Sequence, residues 1–208
     1  MAELIVHGVL LSQHTRRVVA LLEQAELSYE LRAVDLGQGA HLQAPFARLN
    51  PNRQVPVLER GDLVLWESHA ILRYLCNQFD LTDWYPRPAA ARAVVDQWLD
   101  FSHCRLLQPV TTVALDALFP EQFGNPAAAA AAQIEIQRHL QVMLSGLQRG
   151  AWFGGDRPSL ADLSLGSQLD QLALAGRAPD LPGALGGWYQ AFRELPGARA
   201  SQPPPAAA

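Results

Sequence analysis

Cysteine is scarce in this chain: two residues, Cys76 and Cys104, among 208. Two thiols so far apart form neither a metal-ligand spacing nor a disulfide framework. Both are expected as buried free thiols of a reduced compartment, without a metal site. Charge is sparse as well, at 17% of residues, and 16 Lys+Arg against 20 Asp+Glu leave a net charge of −4. Nucleic-acid binding normally needs a basic surface, so it is excluded as an expectation. No apolar run approaches the length of a membrane span. The first residues lack a basic segment followed by a long apolar one, so no signal peptide is expected. There is no internal repeat. These absences point to a cytoplasmic protein with neither membrane nor nucleic acid as partner.

What is present is apolar residue, 49% of the chain, enough for a sizeable core without staples. The most informative stretch runs from Arg53 to Ser68. Two β-rich runs, Val55–Leu58 and Leu63–Trp66, flank Arg60-Gly61-Asp62, which reads as a hairpin with Gly61 at positive φ. Pro56 cannot donate to a sheet ladder, so it is either an edge residue or the second residue of a cis peptide. In cis it would turn the Val55 backbone away from the sheet. Glu67 and Ser68 then end a strand and open an apolar-periodic run (Ile71, Leu72, Leu75), with Ser68 expected as the helix N-cap. Free N–H groups beside a hydroxyl and a carboxylate suit a small zwitterion.

Ahead of the hairpin, Leu4–Val9 reads as a strand buried on both faces. Leu10–His14 is a loop, and a helix is expected from Thr15 to Gln24 on the spacing of Val18, Val19, Leu21 and Leu22. Tyr29–Val34 alternates as a second strand, parallel to the first through a right-handed crossover. A short helix over Ala40–Leu49 ends at the breaker Asn50-Pro51, and Ser68–Phe79 is the third helix. The order β-α-β-α-β-β-α specifies a mixed four-stranded sheet of thioredoxin-like arrangement, assigned to residues 1–80.

Pro86-Arg87-Pro88 reads as a linker, and the pattern beyond it is helical only. Ala89–Leu118 is expected as a long amphipathic helix kinked at Pro109. A second helix runs from Pro126 through an alanine block to Leu147. Ser159-Leu-Ala-Asp162 has the form of a capping box, with Asp162 in a structural role. A last helix covers Trp188–Leu195, and the Pro/Ala-rich tail, Ser201–Ala208, is expected to be disordered. The second domain, residues 87–200, is therefore all-α.

Taken in order, Asn50-Pro51, Val55-Pro56, Glu67-Ser68 and Ser159-Leu-Ala-Asp162 resemble the glutathione S-transferase family over nearly the whole chain. Leu11-Ser12-Gln13 ahead of Arg16-Arg17-Val18, and the run Val34–His41, are most similar to the theta class and its bacterial relatives. The resemblance implies glutathione as co-substrate and a small hydrophobic electrophile as acceptor. It implies detoxifying transfer as the activity and a homodimer as the assembly. Ser12 is the implied catalytic residue. Its hydroxyl, with the positive end of the first helix, would stabilise the glutathione thiolate, whose thiol otherwise titrates near about 8.5. The implied glutathione contacts are Ser12 at the sulfur, the Val55 backbone at the cysteinyl unit, and Glu67 with Ser68 at the γ-glutamyl end. His41 and Arg53 or Gln54 stand near the glycyl carboxylate. The acceptor is expected in an apolar cleft between the domains, with Leu11, Phe101, Cys104, Arg105 and Gln108 as candidates.

Departures from the family pattern are Leu107, where theta-like chains often carry an Arg, and His14, where a Pro often follows Ser-Gln. A glutathione-dependent disulfide reductase or peroxidase, and a non-catalytic protein-interaction module of the same fold, are the alternatives. Read without the resemblance, Ser12 is a plain helix N-cap, with Thr15 as competitor.

Overall fold

The computed structural model describes residues 3–204. It divides into two compact units: the chain up to Leu81 together with the segment from Leu195 onward, and Thr82–Glu194.

The first unit carries strands β1 (Leu4–Gly8), β2 (Tyr29–Ala33), β3 (Val57–Arg60) and β4 (Leu63–Trp66) in the sheet order β2-β1-β3-β4. β1 and β2 are parallel across helix α1 (Gln13–Gln24), while β1–β3 and β3–β4 are antiparallel. This mixed four-stranded sheet is the thioredoxin-like arrangement. β1 alternates rather than lying buried on both faces: Leu4, Val6 and Gly8 are buried, Ile5 and His7 half-buried. The buried face takes Val18, Leu21 and Leu22 of α1 and Ile71, Leu72 and Leu75 of α3 (Ser68–Gln78), all 0% exposed. Val34, Phe46 and Val57 form a separate small core cluster, with Ala40, Leu49 and Val55 packed against it. The expected helix over Ala40–Leu49 is two pieces, a 3₁₀ turn Ala40–Leu42 and α2 (Ala44–Leu49). Pro45 lies in the first turn of α2, where a fixed φ starts a helix afresh. At the hairpin, Gly61 has φ +59°, the left-handed value the turn needs.

The second unit is all-helical: α4 (Ala89–Phe101), α5 (Leu107–Leu118), α6 (Pro120–Phe123), α7 (Pro126–Gly146), α8 (Leu160–Leu174) and α9 (Ala184–Glu194). α4 and α5 are joined without a break by a π-helical turn, Ser102–Leu106, in which the Leu107 N–H reaches back five residues to the Ser102 carbonyl. The disturbance expected at Pro109 is thus taken up in the turn before it. Pro109 has no N–H for the Arg105 carbonyl and its ring crowds that oxygen, which a wider turn relieves. The Ser102 carbonyl also accepts from Gln168 Nε2 of α8 at 3.2 Å. Residues 160–172 of α8 are all buried, so this helix forms the axis of the unit. An aromatic chain surrounds its start: Trp98, Phe153, Trp188 and Phe192, with successive ring centroids 4.7, 4.8 and 6.1 Å apart.

After α9 the chain returns to the first unit as α10 (Pro196–Ala200), which packs on α1. The Gly197 N–H donates to Gln24 Oε1 at 3.1 Å. A Cβ at Gly197 would fall 2.0 Å from the Ala20 carbonyl oxygen, so only glycine permits this approach. The helix α10 has no counterpart in the sequence expectation. The tail expected to be disordered begins ordered: Ser201 is buried and donates from Oγ to the Ala198 carbonyl at 3.0 Å. Its last four residues, 205–208, lie outside the described residues. Among the described residues, no helix is long and apolar enough to cross a membrane, and no group of three His, Cys, Asp or Glu is placed to hold a metal.

Candidate active site

Strand register brings the sequence candidates to one end of the sheet. Gly8 faces Ala33, His7 faces Val57, and Val57 faces Trp66. β1, β2 and β4 therefore all finish, and β3 begins, at the same end. From that end depart the loop bearing Ser12, the segment bearing His41, the approach through Arg53, Gln54 and Val55, and Glu67-Ser68. Residues separated by more than fifty positions in sequence are thereby grouped by sheet topology alone.

Ser12 is the N-cap of α1, in extended backbone, but its side chain makes no capping hydrogen bond. Its carbonyl accepts from the Arg16 N–H at 3.0 Å, so the backbone starts the helix while the hydroxyl stays uncommitted. The first turn of α1 has no acidic residue, so the positive end of the helix is not neutralised locally. Arg16 and Arg17, each 1% exposed, lie behind it. Arg16 Nη1 donates to the carbonyls of Leu10 at 2.9 Å and Leu11 at 3.1 Å. Arg17 Nη1 lies 2.8 Å from His69 Nε2 in the first turn of α3. Burial, with Arg16 alongside, pulls the Arg17 guanidinium down to about 9.

The N-cap of α3 is Glu67, not Ser68. The reason is backbone geometry. Glu67 has φ +70° and ψ 108°, outside the helix, and its carbonyl accepts from the Ile71 N–H at 2.9 Å. Ser68 is already the first helical residue, 6% exposed. A non-glycine residue at this φ is strained, and such strain concentrates where a site needs a side chain aimed against local preference. The N–H groups of residues 68–70 precede the first intrahelical donor, the Ile71 N–H.

The Val55–Pro56 bond is cis, which settles the two sequence readings of Pro56. Val55 lies before the first ladder pair of β3. The loop leading to it is organised by Asn50, which sequence reading took as a breaker and as part of the family resemblance. Asn50 is 2% exposed, donates from Nδ2 to the Gln54 carbonyl at 2.8 Å, and accepts at Oδ1 from the Asn52 N–H at 2.9 Å. Arg53 stands at φ +56° and is exposed, as is Gln54. His41 is half-buried, and its Nδ1 is buried without a hydrogen-bond partner among the described residues.

The acceptor candidates are placed as follows. Leu11, just before Ser12, is 37% exposed. Phe101 closes α4, half-buried, edge-on to Trp98 and His139. Cys104 and Arg105 are exposed on the π turn, so the expectation that both cysteines are buried fails at Cys104. The wider turn leaves residues 103–105 outside the helix packing. Gln108 is exposed on α5 and donates to Thr112 Oγ1 at 3.3 Å. Cys76 is buried as expected, and burial pushes its thiol up to about 12.

Asp162 is structural, as its capping-box position implied. Its carboxylate accepts from the N–H of Ser159 (2.8 Å), Ser159 Oγ (2.9 Å), the N–H of Phe153 (3.0 Å) and Trp188 Nε1 (2.9 Å). Burial raises its pKa, against those four donors. Sequence reading missed Arg16, Arg17, His69 and Asn50. The signal available was two adjacent arginines immediately ahead of Val18 and Val19 in α1.

The chain thus joins a thioredoxin-like unit, with an uncommitted serine at the start of its first helix, to an all-helical unit. Residues 2–77 match the N-terminal domain, and residues 126–191 the C-terminal domain, of glutathione S-transferase. Human glutathione S-transferase theta-1 is 39% identical over 160 residues, 74% of this chain and 67% of that protein. The theta class enzyme of Xanthomonas axonopodis pv. citri, solved with glutathione bound, superposes with a TM-score of 0.87 at 28% identity, covering 100% of this chain and 99% of that one. Human T1-1 in its apo form gives 0.84 at 31% identity, covering 98% and 93%. The chain belongs to the glutathione S-transferase family, closely matching the theta class and its bacterial and plant relatives. It is a transferase whose co-substrate is glutathione.

Proposed function

We propose that glutathione lies across the common end of the sheet with its sulfur at Ser12. One observation carries this: the Ser12 hydroxyl heads α1 yet is not used to cap it. It is therefore available to donate to a thiolate, and the positive end of α1 favours the same charge. The thiolate then attacks an electrophilic carbon of a small hydrophobic acceptor, and Ser12 is not itself the nucleophile. Glu67 and Ser68 take the γ-glutamyl ammonium and carboxylate, the Val55 backbone the cysteinyl amide, and His41 with Arg53 or Gln54 the glycyl carboxylate. Leu11, and on the helical unit Phe101, Cys104, Arg105 and Gln108, are the proposed acceptor contacts. The absorbance of the bound thiolate, titrated with pH in the wild type and in Ser12→Ala, is the test. A raised midpoint in the variant supports the assignment, and an identical midpoint overturns it.

A homodimer in the cytoplasm completes the reading. Its support is the edge strand β4, where Leu63, Val64 and Trp66 are each more than a third exposed, a surface that a monomer leaves in water. Two-fold pairing is the common solution for such faces. Light scattering at micromolar concentration is expected to give twice the chain mass of 22.7 kDa, and the chain mass itself would refute the dimer.

A further inference from the structure

Arg16 and Arg17 are an unusual pair. Adjacent guanidinium groups are both buried, Arg16 Nη1 meeting two carbonyl oxygens and Arg17 Nη1 an imidazole. Nε and Nη2 of Arg17 are buried with no hydrogen-bond partner among the described residues. Burying a cation is costly, and a second cation beside it adds to the cost. An apolar pair of similar volume would fill the space more cheaply, so packing alone does not account for the arginines.

Their directions do. Consecutive helical residues point about 100° apart, so neighbours on one helix reach different elements. Arg16 reaches back to Leu10 and Leu11, the two carbonyls immediately ahead of Ser12. Arg17 reaches across to His69, the residue immediately after Ser68. The guanidinium is a donor only, so His69 Nε2 accepts, which assigns the imidazole as neutral with its proton on Nδ1. We propose that Arg16 and Arg17 are positioning residues forming a two-way brace: Arg16 sets the Ser12 loop against α1, and Arg17 sets the first turn of α3, and with it Glu67 and Ser68, against the same helix. One turn of α1 thereby fixes the distance between the group that meets the sulfur and the groups that meet the γ-glutamyl end. This inference rests on the assignment of those two ends given above.

The two arms are separable by experiment. In Arg16→Met the thiol of bound glutathione titrates about one pH unit higher and kcat at neutral pH falls about five- to tenfold, while KM for glutathione stays within about twofold. In Arg17→Met the reverse holds: KM for glutathione rises about tenfold, with kcat at saturation within about twofold and the titration midpoint unmoved. His69→Leu copies Arg17→Met, the double variant is no worse than either single one, and His69→Gln, which keeps an acceptor, restores KM. If the Met variants do not fold, Arg16→Lys and Arg17→Lys keep the charge, lose the planar fork, and show the same split at smaller size. Lowered melting temperatures with unchanged kinetics of the folded enzyme, or both arginines moving the same parameter, overturn the brace. Ser12→Ala and Glu67→Gln measured alongside separate the two levels. If they shift midpoint and affinity while the arginine variants do not, the brace fails and the site stands. If they shift neither, the site assignment fails and the brace falls with it.

Discussion

The helices α1 and α8 both begin at a serine, and the two serines are used in opposite ways. Ser159 is fully engaged. Its Oγ accepts from the Ala161 N–H at 3.2 Å and donates to Asp162, whose carboxylate also ties Phe153 and Trp188 to the same point. Ser12 occupies the equivalent position on α1 and makes no capping bond at all. A helix start in the core must satisfy its donors internally, because water cannot reach them. A helix start left unsatisfied beside an open loop is available to a ligand. Three residues on, α8 has Asp162 and α1 has Thr15, so the carboxylate that engages Ser159 has no equivalent at Ser12.

The largest expected effect tests the engaged end. Asp162→Ala leaves three buried N–H donors and a hydroxyl without their acceptor and is expected to cost about 3–5 kcal/mol in chemical denaturation. A loss below about 1 kcal/mol would erase the contrast. Next comes the uncommitted end. Ser12→Ala is expected to lower turnover at neutral pH about ten- to a hundredfold, with the loss shrinking as pH rises, and to change stability by less than about 0.5 kcal/mol. A stability loss near that of a typical cap, about 1 kcal/mol, with activity retained would mean that the hydroxyl caps α1 in solution. Glu67→Gln should weaken glutathione binding by about 1–3 kcal/mol in calorimetry, with unchanged affinity counting against the γ-glutamyl assignment.

The smallest effect concerns the two cysteines, which repeat the contrast between engaged and open groups. One thiol per folded chain, Cys104, should react with a disulfide reagent at once, and Cys76 only on unfolding. The pH sign follows from burial. In the unfolded chain the Cys76 thiol ionises near its ordinary value of 9.0, whereas in the fold it holds its proton to about 12. Stability therefore declines as pH rises through that window, since only the unfolded state sheds the proton. Cys76→Ala should flatten the decline, as measured by denaturation at successive pH values.

Much of this was legible in the chain. The strand and helix periods gave the element order, and turn chemistry located Gly61 and Pro56. Asp162 could be read as a cap because its spacing from Ser159 is local. What could not be read was whatever depends on distant pairing. The cap of α3 fell one residue earlier than expected, because tertiary context holds Glu67 at a φ that local preference disfavours. The π turn was invisible because Pro109 announces a disturbance without saying which hydrogen bonds absorb it. Arg16 and Arg17 entered only as part of the family resemblance, since nothing local reveals that the space around them is closed. Helix α10 fell in the gap between the last expected helix and the Pro- and Ala-rich tail, and its Gly197 meets a residue more than 170 positions away.

That last helix bears on the order in which the protein is made. A chain leaving the ribosome usually completes its N-terminal domain before the next is synthesised. Here the surface of α1 that receives Gly197 stays uncovered until α10 has been made, after the whole helical unit. The sheet and its site loops can assemble early, but the unit they belong to is finished only by its final segment. Completion of the first unit thus waits on synthesis of the second, and a chain made only as far as α8 does not carry a finished copy of it.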